Sequence, residues 1–464
     1  MRPRWSVSLL WLLAAGCALG PNYKRPAVDA PPQFRGAAAA GADSLGDRKW
    51  TELFQDDTLR QMVATAIENN FDLRIASERV LEARARYRVQ GAERFPNLTA
   101  QAAFTASRSS YIGAQSDIPP GDNLNVSYTQ AGAALDWELD FWGRLRRLTE
   151  SARAQYLATE EGRRAVLVSL IAEVTSGYFT LRERDLELEI ALETRDIAAN
   201  NLKLIELRYQ RGAATALDVH QAEEFLYIAT AQIARARRDI EQMENALSLL
   251  QGRAPGAIAR GKAIDQFALP PEVPAGLPSA LLERRPDVRQ AEQTLISANA
   301  EIGAAKALYF PQITLTGFLG GQSRALTDLF TGPARLASIA PGAALPIFNA
   351  GLTRAAVRYT EEQKRETLVA YQKAIYSGFR EVSDALAGYS RTREQRAEQE
   401  KLVTALSETT RLSQMRYKGG LDSYLQVLDA ERNLFQGQLA LAQLRLGEAL
   451  SFVELYRALG GGWQ

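Results

Sequence analysis

The chain has 464 residues, 46% of them apolar, and its 55 basic and 54 acidic side chains leave a formal net charge of +1. A nearly balanced charge gives no broad field that would attract nucleic acid or an anionic membrane surface. One His and one Cys are too few for a typical zinc site or a His-activated nucleophile, so the composition argues against an enzyme. His220 lies within a heptad-patterned segment, where a surface or packing role is expected.

The N-terminus predicts export and lipidation. Residues 1–16 have the pattern of a secretory signal, with arginines, a short apolar stretch and then small residues. Cys17 follows directly and fits a lipobox, in which it becomes the acylated first residue of a lipidated, extended segment over 17–56. Because Ala14 stands where a lipobox usually has Leu, an ordinary signal-peptidase site with an incidental cysteine is the alternative. Ala18, in place of an Asp, favours release towards the outer membrane.

The chain contains two copies of one unit, repeat 1 over 57–252 and repeat 2 over 280–460, joined by a linker over 253–279. Equivalent residues lie first 215 and then 208 positions apart, so repeat 2 is seven residues shorter at one place. A constant offset over such a length indicates a duplication, and two homologous halves suit a quasi-symmetric wall. The pairs include Phe95-Pro96 with Phe310-Pro311, Glu173-Val174 with Glu381-Val382, and Arg208-Tyr209 with Arg416-Tyr417.

Each repeat is predicted to begin with a helix, over 57–93 in repeat 1 and over 280–307 in repeat 2. A β-hairpin follows, over 98–137 and 312–346, because apolar residues alternate there with small or polar ones. Strands of about ten residues with this alternation are typical of transmembrane β-strands, although a soluble hairpin has the same pattern. No stretch after residue 17 has the roughly 20 continuous apolar residues of a spanning helix, so a membrane crossing would use strands.

The remainder of each repeat is predicted to be a long helical hairpin, over 143–250 and 351–459. Residues 145–210 contain no proline and would form about 100 Å of helix at 1.5 Å per residue. After a turn at 211–214, apolar or small residues recur at alternating steps of three and four, which predicts a coiled-coil seam. The seam positions are Val219, Ala222, Leu226, Ala229, Ile233, Ala236, Ile240, Met243, Leu247 and Leu250.

These parts constrain the assembly. One chain would supply about four β-strands, too few to close a barrel, and open strand edges are not tolerated in lipid. Three chains would supply twelve strands, an even number of the kind that membrane barrels use. The predicted fold class is therefore a membrane α+β protein, with a trimeric 12-stranded β-barrel that is continued by a long α-helical coiled-coil barrel.

Five motifs occur in order over essentially the whole mature chain. They are Cys17-Ala-Leu-Gly20-Pro21-Asn22-Tyr23-Lys24-Arg25-Pro26, Trp137-Glu-Leu-Asp140-Phe-Trp-Gly143, Glu283-Arg-Arg-Pro286-Asp287-Val288, Arg416-Tyr417-Lys418-Gly419-Gly420 and Leu428-Asp429-Ala430-Glu431. Together they resemble the OprM/NodT-type lipoprotein branch of the TolC-like outer membrane factors.

The resemblance implies a homotrimeric channel in the outer membrane, a passive exit duct for drugs, toxic compounds or metal ions. It implies two partners, a periplasmic adaptor and a proton-driven inner-membrane pump of the resistance-nodulation-division type. No cofactor is expected apart from the lipid on Cys17, and no metal or nucleic acid. The helical tips around Gly212, Gly419 and Gly420 would form the closed periplasmic end, and the barrel loops would face the cell surface.

Three aromatic residues, Trp137, Phe141 and Trp142, lie where strand gives way to helix. We predict that they form an interfacial aromatic belt at the periplasmic face of the outer membrane, because such rings concentrate at membrane–water boundaries. Ordinary packing at the junction is the alternative.

The residues after each tip turn are candidates for helix caps and for a gate. Thr215-x-x-Asp218 and Ser423-x-x-Gln426 both fit a capping box, so Asp218 is interpreted first as a cap and second as a gate contact. Asp429 lies beyond the first turn of its helix, and in the matching family motif this position faces the lumen. Three copies would form a ring of carboxylates and a narrow, cation-preferring closed pore; a solvated surface Asp is the alternative. Gln426 stands where many relatives have a second Asp.

Tyr209 and Tyr417 precede the two tip turns at equivalent places. They resemble tip tyrosines that hydrogen-bond between neighbouring helices and hold the bundle shut, with plain seam packing as the alternative. Opening would then break these bonds and let inner helix pairs uncoil outward on adaptor binding.

Other protein classes fit the sequence less well. A type I protein-secretion duct has the same construction, and the sequence does not identify the transported substrate. A periplasmic coiled-coil adaptor also has long helical hairpins, but usually one hairpin flanked by lipoyl-like segments. A lipid-anchored enzyme is disfavoured by the single His.

Overall fold

The structure is a computed structural model that describes residues 18–37, 44–108, 110, 125–267, 269–270 and 273–461. The predicted signal and Cys17 lie outside these ranges, as does most of the loop between the first two strands. Within them the chain forms nine α-helices and four β-strands. The helices are α1 Trp50–Leu53, α2 Asp57–Asn69, α3 Phe71–Ala92, α4 Arg144–Gln210, α5 Ala216–Leu250, α6 Leu281–Arg284, α7 Pro286–Ala307, α8 Leu352–Lys418 and α9 Tyr424–Ala458. The strands are β1 Asn97–Arg108, β2 Asn125–Leu139, β3 Gln312–Ser323 and β4 Arg335–Ala344.

The two repeats have the same order of elements and matching lengths. Helices α4 and α8 each contain 67 residues, and α5 and α9 each contain 35. Equal lengths are what a constant offset of 208 positions requires. Part of α4 is apolar enough to cross a membrane by length and composition, but 44% of that stretch is buried within the chain, as in many core helices.

The helix at the start of each repeat is interrupted, so the prediction of single helices over 57–93 and 280–307 is wrong. Asn70 separates α2 from α3, and its side-chain amide donates to the carbonyl oxygen of Leu250 at 2.9 Å. At the equivalent place Arg285 separates α6 from α7, and its guanidinium contacts Glu381 at 2.8 Å. A buried polar side chain at each break binds another helix. Asn70 also caps α3 by accepting from the N–H of Leu73 at 3.0 Å, and Arg285 precedes a proline, which disfavours the helical conformation at the preceding residue.

The four strands form one antiparallel sheet in the order β1-β2-β3-β4. Strands β2 and β3 join the two repeats, with Trp137 opposite Leu315 and Gly132 opposite Gly320. A side chain at Gly132 would lie 2.6 Å from the Cα atom of Gly320, so this pair needs glycine. Among the described residues β1 pairs only with β2 and β4 only with β3, which leaves two open sheet edges.

The described residues group into two units. The first contains all four strands together with residues 18–26, Val80–Ala158 and Ala291–Ala370. Its N-terminal residues run along helices of both repeats: Arg147 of α4 donates to the carbonyl oxygen of Leu19 at 3.0 Å, and Arg25 makes a bidentate contact with Glu292 of α7 at 2.7 and 2.6 Å. Described residues 18–26 contain no helix or strand, but the segment predicted as extended over 17–56 also contains the short helix α1 at Trp50–Leu53.

The second unit contains Ala27–Arg79, Thr159–Gln290 and the described part of 371–464. Its core joins aromatic rings from both repeats, with Phe54 packed edge-on against Phe179 and Phe452, both at 6.2 Å. Buried Asp56 caps α2 and also accepts hydrogen bonds from the Tyr178 hydroxyl at 3.0 Å and from a linker N–H at 2.8 Å. The described parts of the linker over 253–279 are therefore bound to this core.

Glu183 is a buried carboxylate within the helical hairpin of repeat 1. Neither of its oxygens accepts a hydrogen bond, and the nearest cation is the Arg184 side chain at 3.4 Å. Burial, with repulsion from the neighbouring carboxylates of Glu187 and Asp239, raises the pKa of Glu183 to about 8. The folded chain therefore favours the protonated form of this residue near neutral pH.

We expect the substitution Glu183→Gln to remove part of the pH dependence of stability. Because the pKa of Glu183 is higher in the folded chain, the folded state holds this proton from about pH 4.5 to about pH 8, and stability falls as the pH rises through that window. Urea denaturation in detergent at both ends of the window should show a smaller fall for E183Q. The control is Glu189→Gln, an exposed residue of the same helix. Equal falls in wild type and E183Q would contradict the assignment.

Candidate functional site

The two helical tips share one backbone conformation. α4 ends and α5 begins on either side of a turn in which Gly212 has a φ of +72°, and Gly420 has a φ of +73° between α8 and α9. The N–H of Ala213 donates to Arg208 at 2.8 Å, and the N–H of Leu421 donates to Arg416 at 3.0 Å. These bonds satisfy carbonyl groups at the helix ends, and the left-handed conformation explains a glycine at both positions. Gly419 has no positive φ, so it is not the residue that permits the turn.

The returning helices begin differently. At α5 the Thr215 hydroxyl accepts from the N–H of Asp218 at 3.2 Å, while the Asp218 carboxylate accepts from the N–H of Thr215 at 2.8 Å, so the capping box is present. At α9 the prediction of a second capping box is wrong, because the Ser423 side chain makes no cap hydrogen bond. Instead, Arg416 binds Asp422 across this turn at 2.6 and 3.0 Å. The hydrogen bonds from Arg416 lower the pKa of the Asp422 carboxyl.

Behind the tips, one apolar cluster joins the two repeats. It contains Ala198, Ile205 and Phe225 from repeat 1 and Leu428 and Phe435 from repeat 2. The rings of Phe225 and Phe435 pack edge-to-face with their centroids 6.4 Å apart. Helix α9 therefore packs against α4 and α5 within a single chain.

The two tip tyrosines have different surroundings. Tyr417 is half-buried, with its ring 5.7 Å from the ring of Tyr424 and the Arg208 guanidinium 4.4 Å from its centre. A cation over a ring face is a favourable contact. Tyr209 is 50% exposed. Among the described residues the structure gives Tyr417 these ring contacts and no hydrogen bond from its hydroxyl to another helix of the same chain.

The two acidic residues of the Leu428–Glu431 motif also differ. Asp429 is exposed in the second turn of α9, and its carboxylate accepts from the Asn433 amide at 3.2 Å. Glu431 is buried and accepts from Asn201 of α4 at 2.8 Å and from Gln414 of α8 at 2.8 Å. Burial raises the pKa of Glu431. Glu431 directly follows the seam position Ala430, and the seam pattern alone does not predict that this carboxylate is buried. The described contacts do not join Asp429 to either tyrosine.

The junction between strand and helix is built on the Trp137–Gly143 motif. Asp140 caps α4, accepting from the N–H groups of Leu145 at 3.0 Å and Arg146 at 2.9 Å. Gly143 has a φ of +80°, and a side chain there would lie 2.7 Å from the Cα atom of Ala18. The chain immediately after Cys17 therefore passes over this junction.

The three belt candidates at this junction are not equivalent. The Trp142 indole N–H donates to the carbonyl oxygen of Pro311 at 2.8 Å, and its ring stacks on Phe310 at 4.8 Å. Trp142 thus packs between the repeats. Trp137 donates to the carbonyl oxygen of Arg94 at 3.0 Å, and Phe141 is an exposed ring.

The described residues contain no group of three or more His, Cys, Asp or Glu side chains able to hold a metal ion. His220 lies at the start of α5, where its Nδ1 atom is 2.8 Å from a Glu223 carboxylate oxygen. The imidazole is largely exposed in the isolated chain. The candidate functional residues of the described chain therefore lie in three places: at the helical tips, in the packing between the two repeats, and at the strand–helix junction.

Comparison with known proteins identifies the family. The family model for outer membrane efflux proteins matches residues 62–253 and 277–461, which lie in the two repeats and the adjoining linker. The solvent efflux pump outer membrane protein SrpC of Pseudomonas putida is 41% identical over 462 residues, covering 97% of each chain. The cation efflux system protein CusC of Escherichia coli is 35% identical over 457 residues, covering 98% of this chain and 97% of its own.

A solved structure agrees with this comparison. The open-state MtrE outer membrane channel of Neisseria gonorrhoeae has a TM-score of 0.87 at 31% identity, covering 97% of this chain and 99% of its own. A match over 97% of this chain confirms the TolC-like fold. This chain belongs to the outer membrane efflux protein family and is an outer-membrane channel component of an efflux system.

Proposed function

We propose that three copies of this chain form one outer-membrane channel, the passive exit duct for small molecules that an inner-membrane pump of the resistance-nodulation-division type delivers through a periplasmic adaptor. The observation that carries the proposal is the four-stranded sheet with two unpaired edges. The β1 edge of one copy would pair with the β4 edge of the next, so that three sheets close into a twelve-stranded barrel without free edges. The paired helical hairpins would continue that barrel as a tunnel.

Small organic molecules are the proposed cargo. The support is the identity of 41% to a relative named as a solvent efflux protein, against 35% for a relative named as a cation efflux protein. A protein-secretion duct would require the same architecture but has no support from these relatives.

Deletion and complementation in the native host test this function. We expect the deletion strain to tolerate several-fold lower concentrations of aromatic solvents and to accumulate a fluorescent dye, and the intact gene to restore both. Tolerance to toxic metal cations should stay unchanged. A strain that loses only metal tolerance would point to cations, and one that loses only the export of a protein would point to secretion.

Lipidation of Cys17 and an aromatic belt are proposed to hold the channel in the outer membrane. Ala18 packs over Gly143 at the strand–helix junction, so an acyl chain on the preceding residue would start beside that junction. Trp137 and Phe141, which are both partly exposed, would lie at the membrane–water interface. Trp142 would support them through its packing on Phe310.

The anchor is tested by Cys17→Ser. We expect the substitution to abolish incorporation of labelled palmitate and to leave the signal uncleaved, because a lipobox requires the thiol. The matched variant is Ala18→Asp, which should keep the label but shift the protein towards the inner membrane in sucrose-gradient fractions. Full processing of C17S would mean that the signal is cut at an ordinary peptidase site.

The proposed gate lies at the tips. Asp429 would supply a ring of three carboxylates at the constriction, with Tyr417, Tyr209 and the cap residue Asp218 beside it. Two observations support this gate. Asp429 is exposed, and it lies too far beyond the start of α9 to cap that helix.

Single-channel recording of Asp429→Asn tests the gate. A carboxylate near a surface contributes on the order of 1 kcal/mol to cation binding, so we expect the cation-to-anion permeability ratio to fall roughly fivefold. The control is Glu398→Gln, an exposed carboxylate of α8 already paired with Lys401 at 2.8 Å, which should keep the wild-type ratio. An unchanged ratio in D429N would mean that Asp429 is only a solvated surface residue.

A further inference from the structure

A cavity of about 190 Å³ lies between the linker and the helical hairpin of repeat 2. All the residues that line it belong to the second unit of the chain. The linker is held on both sides of this cavity. On one side Arg182 donates to the carbonyl oxygen of Lys262 at 2.9 Å, and on the other Arg393 donates to that of Pro270 at 3.1 Å. The cavity is therefore a preformed part of the fold.

The side of the cavity formed by α8 and α9, which we call the helix wall, is charged where repeat 1 is apolar. Its residues Arg396, Glu400 and Glu448 stand 208 positions after Leu188, Leu192 and Ile240. Ile240 is a seam position of repeat 1, whereas Glu448 is a buried carboxylate. Because charged side chains cost more to bury than leucine or isoleucine, the packing of α8 on α9 does not by itself explain these residues.

The charges of the helix wall leave one guanidinium without a close partner. Arg396 neutralises two carboxylates, since it binds Glu448 and also Glu400, the latter at 2.6 Å. Arg445 comes no closer to Glu400 than 3.9 Å, which is beyond hydrogen-bond distance. In the part of the chain that the structure describes, Arg445 donates no hydrogen bond, although its side chain is only 26% exposed. A mostly buried donor without an acceptor is costly, so this guanidinium suits an anionic group in the cavity.

The opposite side, which we call the linker wall, supplies a carboxylate and apolar surface. Asp265 is exposed and accepts no hydrogen bond from a described residue. The ring of Phe267 is held edge-on against Phe179 at 5.0 Å. Ile264 on the linker wall and Ala449 on the helix wall are both buried. The cavity thus offers one free carboxylate and one free guanidinium beside a rigid apolar surface.

Size and charge together define the ligand class. Two arginines and two glutamates make the helix wall neutral, and Asp265 adds one negative charge. A simple anion would bind Arg445 but would be repelled by Asp265, and a simple cation would leave Arg445 without an acceptor. A zwitterion satisfies both groups. Pockets for drug-sized ligands have roughly 300–1,000 Å³, so this smaller cavity suits a solute of amino-acid size.

We propose that the cavity binds a small zwitterionic amino acid with an apolar side chain, such as leucine. Its carboxylate would accept from the Arg445 guanidinium, a pairing whose planar geometry allows two parallel hydrogen bonds. Its ammonium group would bind Asp265, and its side chain would pack on Phe267 and Ala449. The ligand would join the linker to the hairpin of repeat 2 and stabilise the folded chain by mass action. This site is independent of the proposed trimer and of its cargo.

Calorimetric titration of the full-length, detergent-solubilised protein tests the ligand class. We expect L-leucine to bind saturably at one site per chain. N-acetylleucine, which lacks the ammonium group, and leucinamide, which lacks the carboxylate, should each bind roughly tenfold more weakly or worse. Glycine should also bind more weakly, because it has no side chain to bury. Equal binding of leucine and either derivative would overturn the zwitterion, and the absence of saturable leucine binding would overturn the site.

Three variants test the residues. Asp265→Asn and Arg445→Gln should each weaken leucine binding roughly tenfold. The matched control is Arg237→Gln, the exposed counterpart of Arg445 in repeat 1, which should keep the affinity of the wild type. Thermal unfolding without ligand checks that each variant is folded, and leucine should raise the midpoint of the wild type and R237Q more than that of D265N or R445Q. Unchanged binding in D265N and R445Q, or an equal loss in R237Q, would overturn the assignment and leave the proposed function intact.

Discussion

The open edges of the four-stranded sheet set the requirements for the rest of the chain. Backbone N–H and C=O groups along an unpaired strand cannot bind water inside a bilayer, and leaving them unsatisfied is costly. Strands β2 and β3 are satisfied on both sides, whereas β1 and β4 each have one strand neighbour in the described part of the chain. The described part of the chain contributes four strands, and in the proposed trimer the missing partners would come from other copies.

Duplication supplies the second constraint. Helices of 67 and 35 residues occur twice, and both tips turn through a glycine with nearly the same φ. Equal lengths keep the two hairpins in register along their contact. The side chains at equivalent positions of the two repeats differ. Leu428 and Phe435 are buried in an apolar contact. The equivalent residues of repeat 1, His220 and Tyr227, are exposed in one chain.

Buried polar side chains fix how the helices meet. Asn70 and Arg285 lie at equivalent helix breaks, and each binds another helix there. Glu431 takes amide hydrogen bonds from two helices, and Asp56 holds a helix start, a tyrosine and the linker together. Such groups are stable only when their partners are in place, so each one specifies a particular packing of its neighbours.

The sequence by itself determined the duplication, the order of strands and helices, the tip glycines and the cap at Asp218, because periodicity, chain punctuation and capping are local properties. The tertiary structure decided the rest. Ser423 matches the capping pattern but makes no cap bond, while Arg416 and Asp422 hold that turn. Tyr209 and Tyr417 are equivalent in sequence, yet Tyr417 lies under an arginine in a packed contact and Tyr209 is half exposed. The two differ because α9 of repeat 2 covers repeat 1 within the chain, and no local pattern contains the position of a helix that lies more than 200 residues away.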